Sequence, residues 1–386
     1  MRVLFSSTSG EGHFQPLIPL IRAFEASGHE TLTVAPSTLA GTLEVEAVAH
    51  RLGEAPSAED SDRVWTLFPT LARRDASLLV EHEWFARLCL AALMPAVESA
   101  VDEWSPDLMI RETCEYACAV IAHRSGIRHA QVAISTAEAE SSVLRELVRP
   151  ELDGFADGLT QRIFESPYLT KFPASLDPSP YPTTLRFRNH EIGNVKPLGN
   201  WWPGNSAPLV YLTFGTTATG LESGRELLRL VLATIQELDI RILVTTGSKM
   251  SPADLGEVPG NVHVESWIHQ DDVLAEAAIV ICHGGSGTTF GALGAGVPLI
   301  FLPLFADQPT NARMIHDAGA GIAITEGGES TAMNFEDIEA RLILIRVAVE
   351  EMLTNSSYRD SARTLAEEIA RADSPTQLVN RLAMNP

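Results

Sequence analysis

Two stretches of the chain hold side chains whose type and spacing could do chemistry. In Ala278-Ile279-Val280-Ile281-Cys282-His283-Gly284-Gly285-Ser286-Gly287-Thr288-Thr289 an apolar run ends on a histidine, turns through glycines, and enters residues able to open a helix. At such a turn the first N–H groups of the helix have no intrahelical partner, and they face outward together at its positive end. That is an anion site, and a diphosphate suits it. The stretch has no Gly-Lys-Ser/Thr, so the lysine of a phosphate loop is missing and ATP hydrolysis is disfavoured. The second stretch is Ser7-Thr8-Ser9-Gly10-Glu11-Gly12-His13-Phe14-Gln15-Pro16. Pro16 marks a first helical turn, which places His13 at the positive end of a helix, where imidazolium is disfavoured. A histidine kept neutral can accept a proton. Gly10 and Gly12 do not make a dinucleotide fingerprint, because Gln15 stands where the third glycine belongs and no acidic residue closes the next strand.

Strands and helices alternate around both stretches. Residues 2–6 read as a short buried strand, and Leu17, Leu20, Ile21 and Phe24 recur within residues 14–27 at the spacing of one helical face, stopped by Gly28. Residues 30–35 and 108–111 are further strands, the latter followed by a helix through Ala117, Val120 and Ile121. Beyond residue 208 the same grammar restarts, with strands at 209–214, 240–245, 262–265, 278–282 and 298–302 and helices at 335–354 and 358–372. Such alternation means crossover connections and parallel sheets. Prolines crowd residues 167–208, which read as an interdomain connection. The chain therefore divides into a first α/β domain at 1–190, a linker at 191–208, a second at 209–365, and a terminal helix at 366–386 that bridges back to the first.

Length and composition agree with two globular domains: 386 residues, of which 45% are hydrophobic. With 50 acidic against 28 basic residues the net charge is -22, which repels nucleic acid and anionic membranes. Cys114 and Cys118 lie four apart, but with Cys89 and Cys282 they form no zinc-type pairing, so all four read as buried structural thiols in a reduced, cytoplasmic setting. No run approaches the roughly 18 apolar residues of a membrane span, so no stable membrane insertion is expected. Oligomeric state is left at monomer or homodimer.

The order Trp267-Ile268-His269-Gln270, His283-Gly284-Gly285-Ser286-Gly287-Thr288, Gly296-Val297-Pro298, Asp307-Gln308 and Asn311-Ala312 resembles the inverting GT-B glycosyltransferases related to antibiotic-modifying bacterial enzymes and plant small-molecule glucosyltransferases. The resemblance implies two Rossmann-like domains with parallel sheets facing a central cleft. It also implies transfer of a sugar, with inversion and without a metal or other cofactor, from a nucleoside diphosphate donor to a small apolar natural product such as a polyketide or aromatic aglycone. On that reading Trp267 stacks on the pyrimidine and the Ile268 backbone reads its edge. His283, Gly285, Ser286, Gly287 and Thr288 hold the diphosphate, and Asp307 with Gln308 binds sugar hydroxyls. Phe214, Gly215 and Thr216 close over the phosphates from the other side. The donor base favours dTDP over UDP.

The resemblance also makes His13 the base that takes the acceptor's proton, oriented by a carboxylate after a strand of the same domain. Glu112 stands at that position where the family has aspartate, with Glu115 in reserve. Phe14, Trp65, Phe68, Trp84, Phe85 and Tyr116 are candidates for the acceptor pocket. Two rival readings share the fold: a sugar-nucleotide epimerase, which would interconvert donor sugars with no acceptor present, and a non-catalytic auxiliary protein.

Overall fold

A computed structural model describes residues 1–188, 195–220, 222–304, 307–324 and 338–384. The chain forms two compact units, Met1–Glu191 with Ala372–Pro386, and Ile192–Arg371.

The sheet of the first unit contains β1 (Arg2–Ser6), β2 (Glu30–Pro36), β3 (His50–Gly53), β4 (Leu108–Glu112), β5 (Arg128–Val132), β6 (Tyr168–Thr170) and β7 (Thr184–Arg186). Its strands are parallel and lie in the order β3-β2-β1-β4-β5-β6-β7. Strands covered on both faces bury every position, and in β4 this includes Arg111 and Glu112. The order reverses between β1 and β4, which pair Val3 with Leu108 and Ser6 with Arg111. In open parallel sheets that reversal leaves a crevice at the carboxyl ends of the strands, where ligands bind.

The second unit repeats the plan with β8 (Leu209–Thr213), β9 (Arg241–Thr245), β10 (Val262–Glu265), β11 (Ala277–Cys282), β12 (Leu299–Phe301) and β13 (Gly321–Ala323), in the order β10-β9-β8-β11-β12-β13. Its reversal falls between β8 and β11, whose ends Thr213 and Cys282 are partners.

Several boundaries differ from the sequence reading. The proline-rich region is not all connection: β6 and β7 lie in it and form one edge of the first sheet. Each is three residues long, too short to show a period. The helix expected over 14–27 begins earlier, as a turn of α-helix at Glu11–Phe14, tightens at Gln15–Leu17 where Pro16 sits, and resumes over Ile18–Ala26. His13 therefore lies within the first turn. At the other end, the Ser357–Arg371 helix belongs to the second unit, and only the Pro375–Met384 helix returns to the first, packing on the Ile18–Ala26 helix. Part of the linker and of the helix expected at 335–354 falls outside the described residues.

Among the described residues one helix, Arg74–Trp104, is long and apolar enough to cross a membrane, a feature the sequence reading did not find. Half of its most apolar window is buried, and Trp84, Phe85, Leu90, Leu93, Val97 and Val101 pack into the core of the first unit. Over Leu78–Cys89 it is wound as a π-helix, a form that recurs at functional sites.

Candidate functional site

Each reversal point carries one cluster of polar side chains. In the first unit β1 ends at Ser6, and the chain turns through Gly10, at φ 109, before the Glu11–Phe14 turn presents His13. A side chain is strained at that angle, so glycine suits the position. Neighbouring β4 ends on Glu112, and the parallel register brings it beside the turn. His13 Nδ1 lies 3.3 Å from Glu112 Oε2 and 3.1 Å from Thr8 Oγ1.

Glu112 is held from both sides. Its Oε1 accepts from the Thr8 N–H (3.1 Å) and the Thr8 hydroxyl (2.8 Å), and Oε2 accepts from the Cys114 N–H (2.7 Å). Burial opposes its ionisation, but His13 and the Cys114 and Thr8 N–H groups outweigh burial and hold its pKa below the usual carboxylate value. Glu115 faces elsewhere: its carboxylate accepts from the Cys118 N–H, and burial pushes its pKa up to about 7.

The helix-end argument for a neutral His13 is corrected by the structure. Burial does disfavour the imidazolium, but the Glu112 charge and hydrogen bond, aided by Glu81 and Glu140, raise the His13 pKa above its ordinary value. A base must be neutral to accept a proton. Activity that depends on His13 is therefore expected to be lost as pH falls through this raised pKa and to recover above it. A pH profile of kcat/KM should place the acid limb above about 6.5, the unperturbed histidine value, and Glu112→Gln should move it to lower pH. A limb that does not move with Glu112 would separate the titration from His13.

The aromatic candidates divide. Phe85 lies over His13 with ring centroids 5.1 Å apart, Trp65 is 44% exposed, and Trp65 meets Trp84 at 5.4 Å and Phe68 at 5.8 Å. Trp84 itself is buried, with its ring against Trp65. Phe14 and Tyr116 are core residues instead. Phe14 is fully buried with Leu17, Leu20 and Phe24, and buried Tyr116 lies 5.5 Å below the Arg111 guanidinium. Thr8 and Glu81 were missed because no local spacing singles them out, and Cys114, noted for its spacing from Cys118, was read as a structural thiol.

In the second unit β11 runs into His283, and Gly285 caps the Ser286–Gly294 helix with no side-chain hydrogen bond. Thr289 is the first residue whose N–H closes onto this turn, at Gly285 O (3.0 Å). The Ser286, Gly287 and Thr288 N–H groups thus form the open end of the helix, which can hold an anion. His283 is buried between Gly215 and Gly285: a Cβ on either glycine would come within 3.1 or 2.7 Å of its ring. Burial lowers its pKa to about 4, so it is neutral at physiological pH. Its Nδ1 is buried with no hydrogen-bond partner among the described residues.

Trp267 is 69% exposed beside half-buried Ile268, so its face is open to stack on a base. Phe214 is fully buried in the core against His283, and only its backbone stands at the strand end. The Thr216 side chain lies outside the described residues. Asp307 Oδ2 accepts from Ser286 Oγ (2.7 Å) and Asn311 Nδ2 (2.9 Å), while Oε1 of buried Gln308 accepts from the Leu304 N–H (2.8 Å). The Ser286 hydroxyl is thus engaged with Asp307, and the backbone is what the turn offers to an anion.

Residues 229–384 match the family described as "Erythromycin biosynthesis protein CIII-like, C-terminal domain". Over its whole length the chain superimposes on the spinosyn rhamnosyltransferase SpnG solved with spinosyn aglycone, with a TM-score of 0.80 at 22% identity, covering 99% of this chain and 100% of that one. The chain has the GT-B fold. A second GT-B structure, the glycosyltransferase SsfS6 of Streptomyces sp. SF2575 complexed with thymidine diphosphate, has a TM-score of 0.74 at 24% identity and covers 99% of both chains. In sequence the chain is 29% identical over 394 residues to the L-demethylnoviosyl transferase of Streptomyces niveus, covering 99% of this chain and 98% of that one. The chain is thus similar over nearly its full length to that transferase. The two polar clusters described above stand at the reversal points of this chain's two sheets.

Proposed function

We propose that the chain is an inverting, metal-independent glycosyltransferase that moves a deoxysugar from a dTDP-linked donor to a hydroxyl of a small apolar natural product. The observation that carries this is the His13–Glu112 pair, 3.3 Å apart at the reversal point of the first sheet. Neutral His13 takes the hydroxyl proton as the oxygen attacks the anomeric carbon, and Glu112 steadies the imidazolium that forms. A single displacement needs this one base and inverts the carbon.

The second unit holds the donor. As the bond to the sugar breaks, negative charge grows on the diphosphate, and fixed N–H groups at Ser286, Gly287 and Thr288 stabilise it without having to reorient. Trp267 stacks on the pyrimidine, and Asp307 and Gln308 bind the sugar. The thymidine diphosphate complex of SsfS6 supports the choice of base, and the Trp65 and Phe68 rings supply an apolar surface for an aglycone.

A thermal-unfolding titration with dTDP, UDP and ADP tests the donor site. A ligand at about a hundred times its Kd adds roughly 2.7 kcal/mol. The expected order is dTDP first, UDP weaker, ADP without effect. Stabilisation by none of the three would remove the donor reading. Conversion of the donor sugar with no acceptor present would indicate an epimerase instead.

A further inference from the structure

The His13–Glu112 pair has a neighbour of different chemistry. A ring nitrogen of His13, a carboxylate oxygen of Glu112 and Cys114 Sγ all lie within 4.8 Å of one another. Glu81 Oε2, from the π-helical segment, is 4.0 Å from the same sulfur. Imidazole, thiolate and carboxylate are the donors that zinc prefers, with bonds of about 2.0 to 2.3 Å. A tetrahedral ion with such bonds sets its donors about 3.6 Å apart, so the side chains would close by on the order of 1 Å.

The surroundings are already suited to this. Metal ligands are held in place by outer hydrogen bonds, and here Thr8 and the Cys114 N–H fix Glu112 while Phe85 packs on the His13 ring. Two carboxyl groups reach the cluster, Glu112 at 3.3 Å from His13 Nδ1 and Glu81 at 4.0 Å from Cys114 Sγ. The His13 side chain keeps 22% exposure, which leaves a way in for a small ion.

Resting on the reading of His13 as base, we infer that His13, Glu112 and Cys114, with Glu81 as fourth ligand, form an inhibitory site for a thiophilic divalent cation such as zinc. The Cys114 S–H bond breaks, its proton passes to buffer, and a sulfur–metal bond forms. Nδ1, the nitrogen that faces Glu112, gives its lone pair to the metal, and the neutral imidazole keeps its proton on Nε2. An Nε2–H donates and cannot accept a proton from a hydroxyl. The cation therefore removes the base and its orienting carboxylate together, and acts as an off-switch rather than a cofactor.

Cobalt(II) added to the full chain is the direct probe, because a cobalt–thiolate bond gives a near-ultraviolet charge-transfer band. The band is expected in the parent and absent in Cys114→Ser. Zinc should inhibit transfer, a chelator should restore it, and Cys114→Ser should raise the half-inhibitory zinc concentration at least about tenfold, the low end of what losing support at a metal site costs. Each rate is compared with the same variant's zinc-free rate. If Cys114→Ser fails to fold, zinc titration of the parent in buffers of differing ionisation enthalpy, at a pH high enough that His13 and Glu81 are already deprotonated, should show close to one proton released per ion, and Glu81→Gln should weaken binding. No cobalt–thiolate band in the parent, or equal zinc sensitivity in Cys114→Ser, overturns the proposal. The band does not depend on catalysis: a band in a chain that transfers no sugar would uphold the cation site and defeat the enzymatic reading.

Discussion

Replacing His13 by alanine is expected to lower sugar transfer by about 10²- to 10⁴-fold, the usual contribution of a positioned general base, while dTDP still stabilises the chain against heat. The two halves of this expectation come from different units. His13 stands after β1 in the first unit, whereas the anion-ready turn at Ser286 stands after β11 in the second. Its side chain is 22% exposed and its removal leaves no large cavity in a core, so the loss should appear in kcat and not in folding. It does leave Glu112 without its cationic partner, and a buried carboxylate so deprived has a higher pKa. His13→Gln, whose amide can still donate to Glu112, controls for the lost hydrogen bond. Steady-state transfer from dTDP-sugar to a hydroxyl acceptor reads the first half, and a dTDP thermal shift reads the second. Full activity in both variants would remove His13 from the mechanism.

Local and non-local residues differed in how legible they were. The second-unit site could be read from the sequence because its parts are close in the chain: strand, histidine, glycine turn and helix fall within residues 277–294, and Asp307 and Asn311 reach back to Ser286 and Gly284. The first-unit site is assembled by the sheet. Only the pairing of β1 with β4 brings Thr8 and His13 to Glu112, and only the Arg74–Trp104 helix brings Glu81 and Phe85. Periodicity along one element contains none of this. Glu112 was reached through the family resemblance, and Thr8 was not reached at all.

The protonation of His13 follows the same rule. The helix-end effect is local, visible in the sequence, and worth about 0.3 to 1 kcal/mol. The carboxylate 3.3 Å away is non-local, and partial burial strengthens its attraction. The second effect wins, so the pKa rises. Cys114 shows the converse. Beside Cys118 it had no partner cluster in the sequence, yet the fold sets its sulfur next to a histidine and two carboxylates. Phe14 could have been assigned correctly, since it shares a helical face with Leu17, Ile21 and Phe24, and that face is core.

Glu112→Gln is expected to lower transfer by as much as about 10⁴-fold, the effect of turning the orienting carboxylate of a catalytic histidine into an amide. Four donors or potential donors converge on this side chain: the Thr8 N–H, the Thr8 hydroxyl, the Cys114 N–H and His13. A carboxylate accepts from all of them, but an amide has one accepting oxygen. If that oxygen turns to Thr8, the NH₂ group faces the Cys114 N–H and can donate to Nδ1, which drives the proton to Nε2 and leaves the imidazole unable to act as base. If the oxygen turns to His13, the NH₂ group faces the Thr8 N–H, and a buried donor loses its partner at a cost of about 1–3 kcal/mol. Activity or stability therefore suffers in either orientation. Glu112→Asp keeps the charge and loses reach, so it should retain more transfer than Glu112→Gln. Residues acting as one unit are not additive, and the decisive comparison is the double variant with His13→Ala. It should be no slower than His13→Ala alone, whereas a rate reduced by the product of the two single losses would mean that Glu112 acts on the reaction independently of His13.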